Sequence, residues 1–438
     1  MNLPAWRLPR RFQGSKFARS VAVVASGTAL AQVVTMAASP LVTRLYGAEA
    51  FGVLGTFTAI VNTLLPVAAL NYPSAIGLPK SELEARKIAF LSIRISICTS
   101  LMVLVVLLIA GGEISRLLNL QGMEGVILLV PLAMFFSAIC SVTNQTMIRH
   151  RLFSTRARVT VAQSILLNAT KVGWGLHGPT AIALVVIATF GRAAHAFMLQ
   201  AGLRFHRSDT DENQTAVGSF DLARRYIDFP RYQMPLGFSN AFAEALPALM
   251  LGALYGPRIV GFYVLCRTIL WLPVGLVAQS VGEVFYPRIN EAVREGADAR
   301  NLIMRSTMAL SCVALFPCLM LVIAGPKLFS FVFGQEWSAA GEFARVMAIL
   351  LFSAFVNRPS MASAPALRLQ RYLLANSVVG VGLKALGIYL GYLWYADAVA
   401  SVAGFSIAGT VSNIVIIRTA IARAGRIGRC GKDMGDGK

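Results

Sequence analysis

The chain is 438 residues long, 56% hydrophobic and only 14% charged, against roughly a quarter charged in an average soluble domain. With a mean hydropathy of +0.65, this excludes a soluble globular protein. The charges are lopsided, 40 Lys and Arg against 20 Asp and Glu for a formal net charge of +20; nucleic acid, anionic lipid and an anionic substrate are the partner classes to separate, and where the charges fall decides among them.

Twelve apolar stretches follow one another, each long enough to cross a hydrocarbon core of ~30 Å as a helix. They cover 20–39, 51–70, 88–110, 125–147, 159–174, 180–199, 235–255, 259–281, 306–324, 343–367, 372–395 and 397–417. The first follows WRLPRRFQGSKFAR and exceeds the apolar core of a cleavable signal, so a retained anchor with a cytoplasmic N-terminus is expected. Alternating the loops from that start puts 29 Lys and Arg on the cytoplasmic side, in the N-terminal tail, 71–87, 148–158, 200–234, 282–305, 368–371 and from Arg418 on. The opposite side holds only Arg44, Arg116, Arg258 and Lys327. That is the asymmetry of the positive-inside rule, with both termini cytoplasmic. The excess positive charge is therefore mostly topology, and no nucleic-acid role is expected, because the basic residues are spread among short loops and form no single patch.

Little in the sequence supports covalent chemistry. Cys98, Cys140, Cys266, Cys312, Cys318 and Cys430 show no CxxC spacing, and His150, His177, His195 and His206 form no HExxH and no cluster with acids, so neither a metal site nor a cofactor is indicated. No GxxxxGK[ST] occurs. The glycines of GVGLKALG (380–387) lie in an apolar span, where close helix packing is their expected role. The longest connection, 200–234, is polar and acidic in its first half and helical in pattern from Phe220. It is too short for a folded catalytic domain and divides the chain into a bundle at 1–200, a cytoplasmic loop at 201–234, a second bundle at 235–417 and a basic tail at 418–438.

The halves echo each other. LVTRLYGAEAFGVLGTFTAIVNTLLPVAALNYPSAI (41–76) shares its order of YG, Gly, LP and YP with 249–289, so that Tyr46-Gly47 matches Tyr255-Gly256, Gly52 matches Gly261, and Tyr72-Pro73 matches Tyr286-Pro287. Many secondary transporters are built from such repeats, two similar bundles that rock about a central pathway. The expected fold is thus an all-α polytopic membrane protein, about twelve transmembrane helices in two pseudo-symmetric six-helix bundles around a central cavity.

Five stretches in order, SPLVTRLYGAEAFGVLG, NYPSAIGLPKSELEA, YIDFPRYQMPLGFSNAFAEALPALMLG, FGQEWSAAGEFARVMAIL and RPSMASAPALRLQR, resemble the polysaccharide transporter, or oligosaccharide (O-antigen) flippase, family of the multidrug/oligosaccharidyl-lipid/polysaccharide exporter superfamily. The resemblance implies a flippase in the bacterial inner membrane that moves a polyprenyl-diphosphate-linked oligosaccharide to the periplasmic leaflet by alternating access, for lipopolysaccharide O-antigen, capsule or exopolysaccharide synthesis. It also implies a polysaccharide polymerase, a chain-length regulator and an initiating transferase as partners, besides membrane lipids.

Such an anionic substrate needs cations along its route. Arg94, Lys171, Arg345 and Arg358 lie near span ends, where long side chains snorkel to headgroups. Arg192, Arg267 and Lys384 lie deeper; each would cost ~3 kcal/mol facing lipid, so each is expected to face the bundle interior, in an interhelical ion pair or lining an anion-attracting lumen. With Arg358 and Arg44 they are the substrate-path candidates. Glu244, one helical turn from Asn240, is the acid nearest a span centre; it either pairs with Lys384 or Arg267 or couples an ion gradient to transport. Thr28, Gln32, Thr35 and Ser39, and Thr58, Asn62 and Pro66, form polar stripes that fit either an aqueous lumen or interhelical hydrogen bonds. Two other functions are weighed against the flippase. A multidrug and toxin extrusion cation antiporter of the same superfamily should carry acids in its lumen, and a membrane polymerase should carry a large outward loop.

Overall fold

The computed structural model describes residues 10–204, 219–294, 298–367 and 369–435, and among them there are helices and turns but no strand. In chain order the helices are α1 (Arg10–Ala68), α2 (Glu82–Leu117), α3 (Glu124–Ile127), α4 (Val130–Arg149), α5 (Phe153–Gly175), α6 (Ala181–Arg204), α7 (Ser219–Arg225), α8 (Met234–Tyr255), α9 (Pro257–Arg294), α10 (Ala299–Phe333), α11 (Ser338–Val356), α12 (Arg358–Ser363), α13 (Gln370–Tyr395) and α14 (Ala398–Gly435). Nine helices among the described residues are long and apolar enough to cross a membrane; one of them, Ser26–Ala68, contains the first two expected spans. The remaining two expected spans are α5 and α8.

Local chemistry explains the boundaries. Helix α2 starts at Ser81, in extended conformation (φ −76°, ψ 134°), whose side chain accepts from the Glu84 amide, and it carries Glu82 and Glu84 in its first turn and Arg116 in its last, in accord with the helix dipole. Asp298 caps α10 by accepting from the Asn301 amide at 3.0 Å. Pro131 stands at the start of α4 and Pro359 at the start of α12, where the missing amide proton costs nothing, so both open helices instead of bending them. The basic tail from Arg418 continues α14 as helix as far as Gly435.

The repeated YG pair is a corner. At Gly47 (φ 69°, ψ 172°) α1 breaks into two helical segments, and Gly256 (φ 85°) separates α8 from α9. Both glycines take the left-handed φ that an L side chain adopts only at a cost. The preceding tyrosines make matching anchors: the Tyr46 hydroxyl donates to the Lys171 carbonyl at 2.8 Å, and the Tyr255 hydroxyl donates to the Asp397 carbonyl at 2.9 Å.

The chain forms two compact units, 1–46 with 57–245, and 47–56 with 246–438. In the first unit α4 packs on α2 and α6, and α5 packs on α6. At the end that the loop charges assign to the cytoplasm, Ala75, Ile76, Ala85, Ile88, Val142 and Phe229 form a buried cluster. Beside it the Arg149 guanidinium binds Glu82 Oε2 at 3.0 Å and the carbonyls of Ile76 (3.1 Å), Pro79 (2.7 Å) and Ser81 (3.3 Å), tying the 71–81 turn to the end of α4. The Tyr72 phenol, pushed up from its ordinary value by burial, stays a donor and reaches the Ala223 carbonyl at 3.0 Å.

In the second unit α11 packs on α9, α10 and α14, and α13 packs along α14. Small residues set these approaches: a β-carbon on Gly387 would meet the Gly404 backbone at 2.6 Å, and one on Gly380 would lie 3.1 Å from Ser412 Oγ. The GVGLKALG glycines are thus packing residues at Gly380 and Gly387, while Gly382 has nothing within 4 Å. The short segment 47–56 also belongs to this unit, and its Gly52 crosses Gly261 of α9 so closely that each would press a β-carbon into the other helix's backbone.

Candidate functional site

Each unit holds a polar centre inside its apolar helices. In the first, Thr35 of α1 and Ser164 of α5 share a hydrogen bond at 3.0 Å, Asn168 Nδ2 donates to Thr35 Oγ1 at 3.3 Å, and Ser164 Oγ also reaches the Ala31 carbonyl at 2.9 Å. One residue of the first polar stripe is therefore engaged in interhelical bonding. The same unit carries two cations within its apolar helices, part-buried Lys171 of α5 and part-buried Arg192 of α6, on helices that pack against each other. The Arg192 guanidinium donates to the Ala188 carbonyl of its own helix at 3.2 Å, and the Cys140 thiol of α4 reaches the Arg192 carbonyl at 3.3 Å. No carboxylate among the described residues pairs with either cation. On α6, one turn after Arg192, His195 buries its Nε2 with no partner.

In the second unit the polar centre sits where helix gives way to helix, between α11 and α12. The Asn357 amide donates to Asn413 Oδ1 at 3.0 Å, and Asn413 in turn donates to Ser353 Oγ at 2.9 Å, joining α11 to α14. Three buried atoms at this break, Asn357 Oδ1, Arg358 Nε and Ser360 Oγ, have no partner among the described residues. Asn357 is 5% exposed and Ser360 0%. Buried polar groups are ordinarily satisfied, so these three atoms mark the break as a candidate place for a polar ligand or water.

The substrate-path candidates do not share one surroundings. Arg192 is joined in its unit by Lys171, which its position near a span end had suggested would snorkel. Arg358 lies at the α11–α12 break. Lys384 of α13 sits over the Phe405 ring at 5.9 Å and against Gly409, within the α13–α14 pair. Arg267 is part-buried on α9, and Arg44 is exposed just before the Gly47 corner. Glu244 and Asn240 are both exposed, four residues apart on α8 in the first unit. The sequence did not point to Asn357, Asn413 and Ser353; the side-chain identities were visible, but the contacts cross up to 60 residues of chain.

Comparison with known proteins gives the family and the fold. Residues 41–342 match the family model described as polysaccharide biosynthesis protein. The amylovoran biosynthesis protein AmsL of Erwinia amylovora is 21% identical over 271 residues, 61% of this chain and 67% of that protein. The teichuronic acid biosynthesis protein TuaB of Bacillus subtilis is 27% identical over 134 residues; the match takes in 30% of this chain and only 28% of that relative's length. Among solved structures, an inward-facing multidrug-resistance MATE transporter of the MOP superfamily superposes with a TM-score of 0.70 at 14% identity, covering 90% of this chain and 95% of that one. The lipid II flippase MurJ in an inward closed conformation gives 0.68 at 11% identity, over 94% and 91%. An outward-facing MATE transporter gives 0.60 at 14% identity, over 93% and 96%. The chain belongs to the polysaccharide biosynthesis protein family and has the helical membrane-transporter fold shared by MATE and MurJ proteins.

Proposed function

We propose that this member of the polysaccharide biosynthesis family is a flippase. It carries a polyprenyl-diphosphate-linked oligosaccharide from the cytoplasmic to the outer leaflet of a bacterial inner membrane by alternating access, and does no covalent chemistry. The observation that supports this reading most is that Lys171 and Arg192, two part-buried cations in the apolar helices of one unit, have no carboxylate pairing them among the described residues. Keeping cations in such surroundings without a counter-charge is unfavourable unless an anion visits. A diphosphate brings that anion, and charge-assisted hydrogen bonds to it recover part of the cost. Arg267, Lys384, Arg358 and Arg44 are the further residues proposed to line the path. Both termini would be cytoplasmic, and a polymerase and a chain-length regulator would act on the product.

Deleting the gene in its host and quantifying lipid-linked oligosaccharide and surface polymer separately tests the reading. Single repeat units held on lipid, with polymer lost, are expected.

A second reading, a MATE-type cation antiporter, is favoured by the MATE structures above and by the exposed acid Glu244 next to Asn240 on α8. Unchanged polymer with heightened sensitivity to cationic drugs would select it, and Glu244→Gln would then abolish export.

A further inference from the structure

We propose that Glu336 is a positioning residue of the transport cycle. Its carboxylate clasps the starts of two repeat-related helices at the outer end of the second unit, and transport requires that the clasp let go. This rests on the transporter reading and on the sidedness given by the loop charges.

The Gly47 break leaves the helical segment that begins at Ala48 with amides lacking a partner in the preceding turn. Glu336 Oε1 lies 3.5 Å from the Ala48 amide nitrogen. The same oxygen lies 3.6 Å from Arg258 Nη2, at the start of α9. A single carboxylate thus touches the first residues of both helices that follow the repeated YG corners. It caps one as an N-terminal side chain would and holds the other by charge. Gly47 is the residue that admits it: a β-carbon there would already stand 3.3 Å from Glu336 Oε2.

The next residue completes the clasp. Trp337, 1% exposed, is edge-on to Phe51 at 5.3 Å and to Phe262 at 5.8 Å, one ring from each of the same two helices. The two contacts differ in strength. Trp337 is dry and packed, whereas the Glu336 and Arg258 side chains are 42% and 64% exposed, so water competes for the ion pair and weakens it. A contact that strong packing aligns and a weak polar bond closes is suited to repeated release. The structural ion pair at Arg149 is built otherwise, part-buried and with four acceptors on one guanidinium.

The test uses the full-length protein in membranes, with its native cysteines replaced and Val53→Cys added. Val53 is 0% exposed on the clasped segment, one residue past the crossing glycine. A membrane-impermeant maleimide is added from the outer side and its labelling rate measured. Glu336→Ala is expected to raise that rate at least about threefold. Glu336→Gln, which keeps an acceptor for the Ala48 amide, and Arg258→Gln, which removes only the ion pair, are each expected to raise it less. Rescue by the isosteric Gln separates positioning from bulk support, since a support role would lower the amount of folded protein and leave the rate of what remains unchanged. Equal rates in wild type and all three variants would overturn the proposal, as would labelling only from the cytoplasmic side. Because labelling needs no substrate, the readout is independent of the deletion experiment: raised labelling with normal polymer in the deletion strain would keep the clasp and remove the flippase.

Discussion

Gly52 and Gly261 hold the same place in the two halves of the sequence and meet each other in the structure. A β-carbon on Gly52 would lie 3.0 Å from the Gly261 nitrogen, and one on Gly261 would lie 3.1 Å from the Gly52 nitrogen. The contact is reciprocal beyond the glycines, for Gly52 faces the Pro257 carbonyl and Gly261 faces that of Ala48, again matching positions of the repeat.

Alanine at either glycine should be costly, because the obstacle is backbone, which cannot swing away. Overpacking of this kind costs ~1–3 kcal/mol. Gly52→Ala and Gly261→Ala should each lower the melting temperature of the detergent-solubilised protein. The double variant should cost clearly less than the two together, since one widened crossing serves both. Additive losses would mean that the glycines do not share a contact.

The pair Lys171 and Arg192 gives a prediction whose sign differs from that of ordinary core damage. Lys171→Gln or Arg192→Gln removes one of two part-buried cations and should leave thermal stability unchanged or higher. Transport should fall about tenfold or more in either variant, given that a charge-assisted contact contributes ~1.5–3 kcal/mol. Loss of stability together with loss of transport would mean instead that the cations hold the bundle together.

Around the α11–α12 break, two substitutions should behave oppositely. Asn413→Ala removes the acceptor of the Asn357 amide and one of the partners of Ser353, at a cost of ~0.6 kcal/mol on average for each membrane hydrogen bond and up to about 1.7. Ser360→Ala deletes an oxygen that has no partner and should be neutral or slightly stabilising, as followed by thermal melting.

At the two corners, Gly47→Ala and Gly256→Ala should both destabilise by ~1–2 kcal/mol through the left-handed φ alone. Gly47→Ala should cost more, since its β-carbon also meets Glu336 whereas that of Gly256 meets nothing within 4 Å. Equal losses would show that the carboxylate moves aside freely.

The helical spans were legible because they depend on a local signal, apolar length. The repeat was legible for the same reason, as an order of short motifs. What the repeat does was not. That Gly52 lies against Gly261, that residues 47–56 join the second unit, and that Lys171 shares a unit with Arg192 all depend on which helices become neighbours, and one amphipathic helix offers several faces of similar hydrophobicity. Lys171 shows the limit best. Its place near the end of α5 is compatible with a reach to the headgroups, and only the packing of α6 on α5 shows that it is part-buried in a unit that also holds Arg192. The Asn357–Asn413–Ser353 network escaped notice because single Asn and Ser residues in apolar spans carry no periodic signal, and the α11–α12 break shows only in the Pro of RPSM.

The most direct measurement is flipping by the purified full-length protein in proteoliposomes carrying a polyprenyl-diphosphate oligosaccharide in both leaflets. The fraction of sugar oxidised by an impermeant reagent added outside is followed with time. Wild-type protein should carry the reaction past the outer-leaflet half to near completion, and Lys171→Gln and Arg192→Gln proteins, equally folded, should pass that half about tenfold or more slowly, toward the trace of empty liposomes. A wild-type trace that stops at that same half, or variants indistinguishable from an active wild type, would contradict the flippase reading.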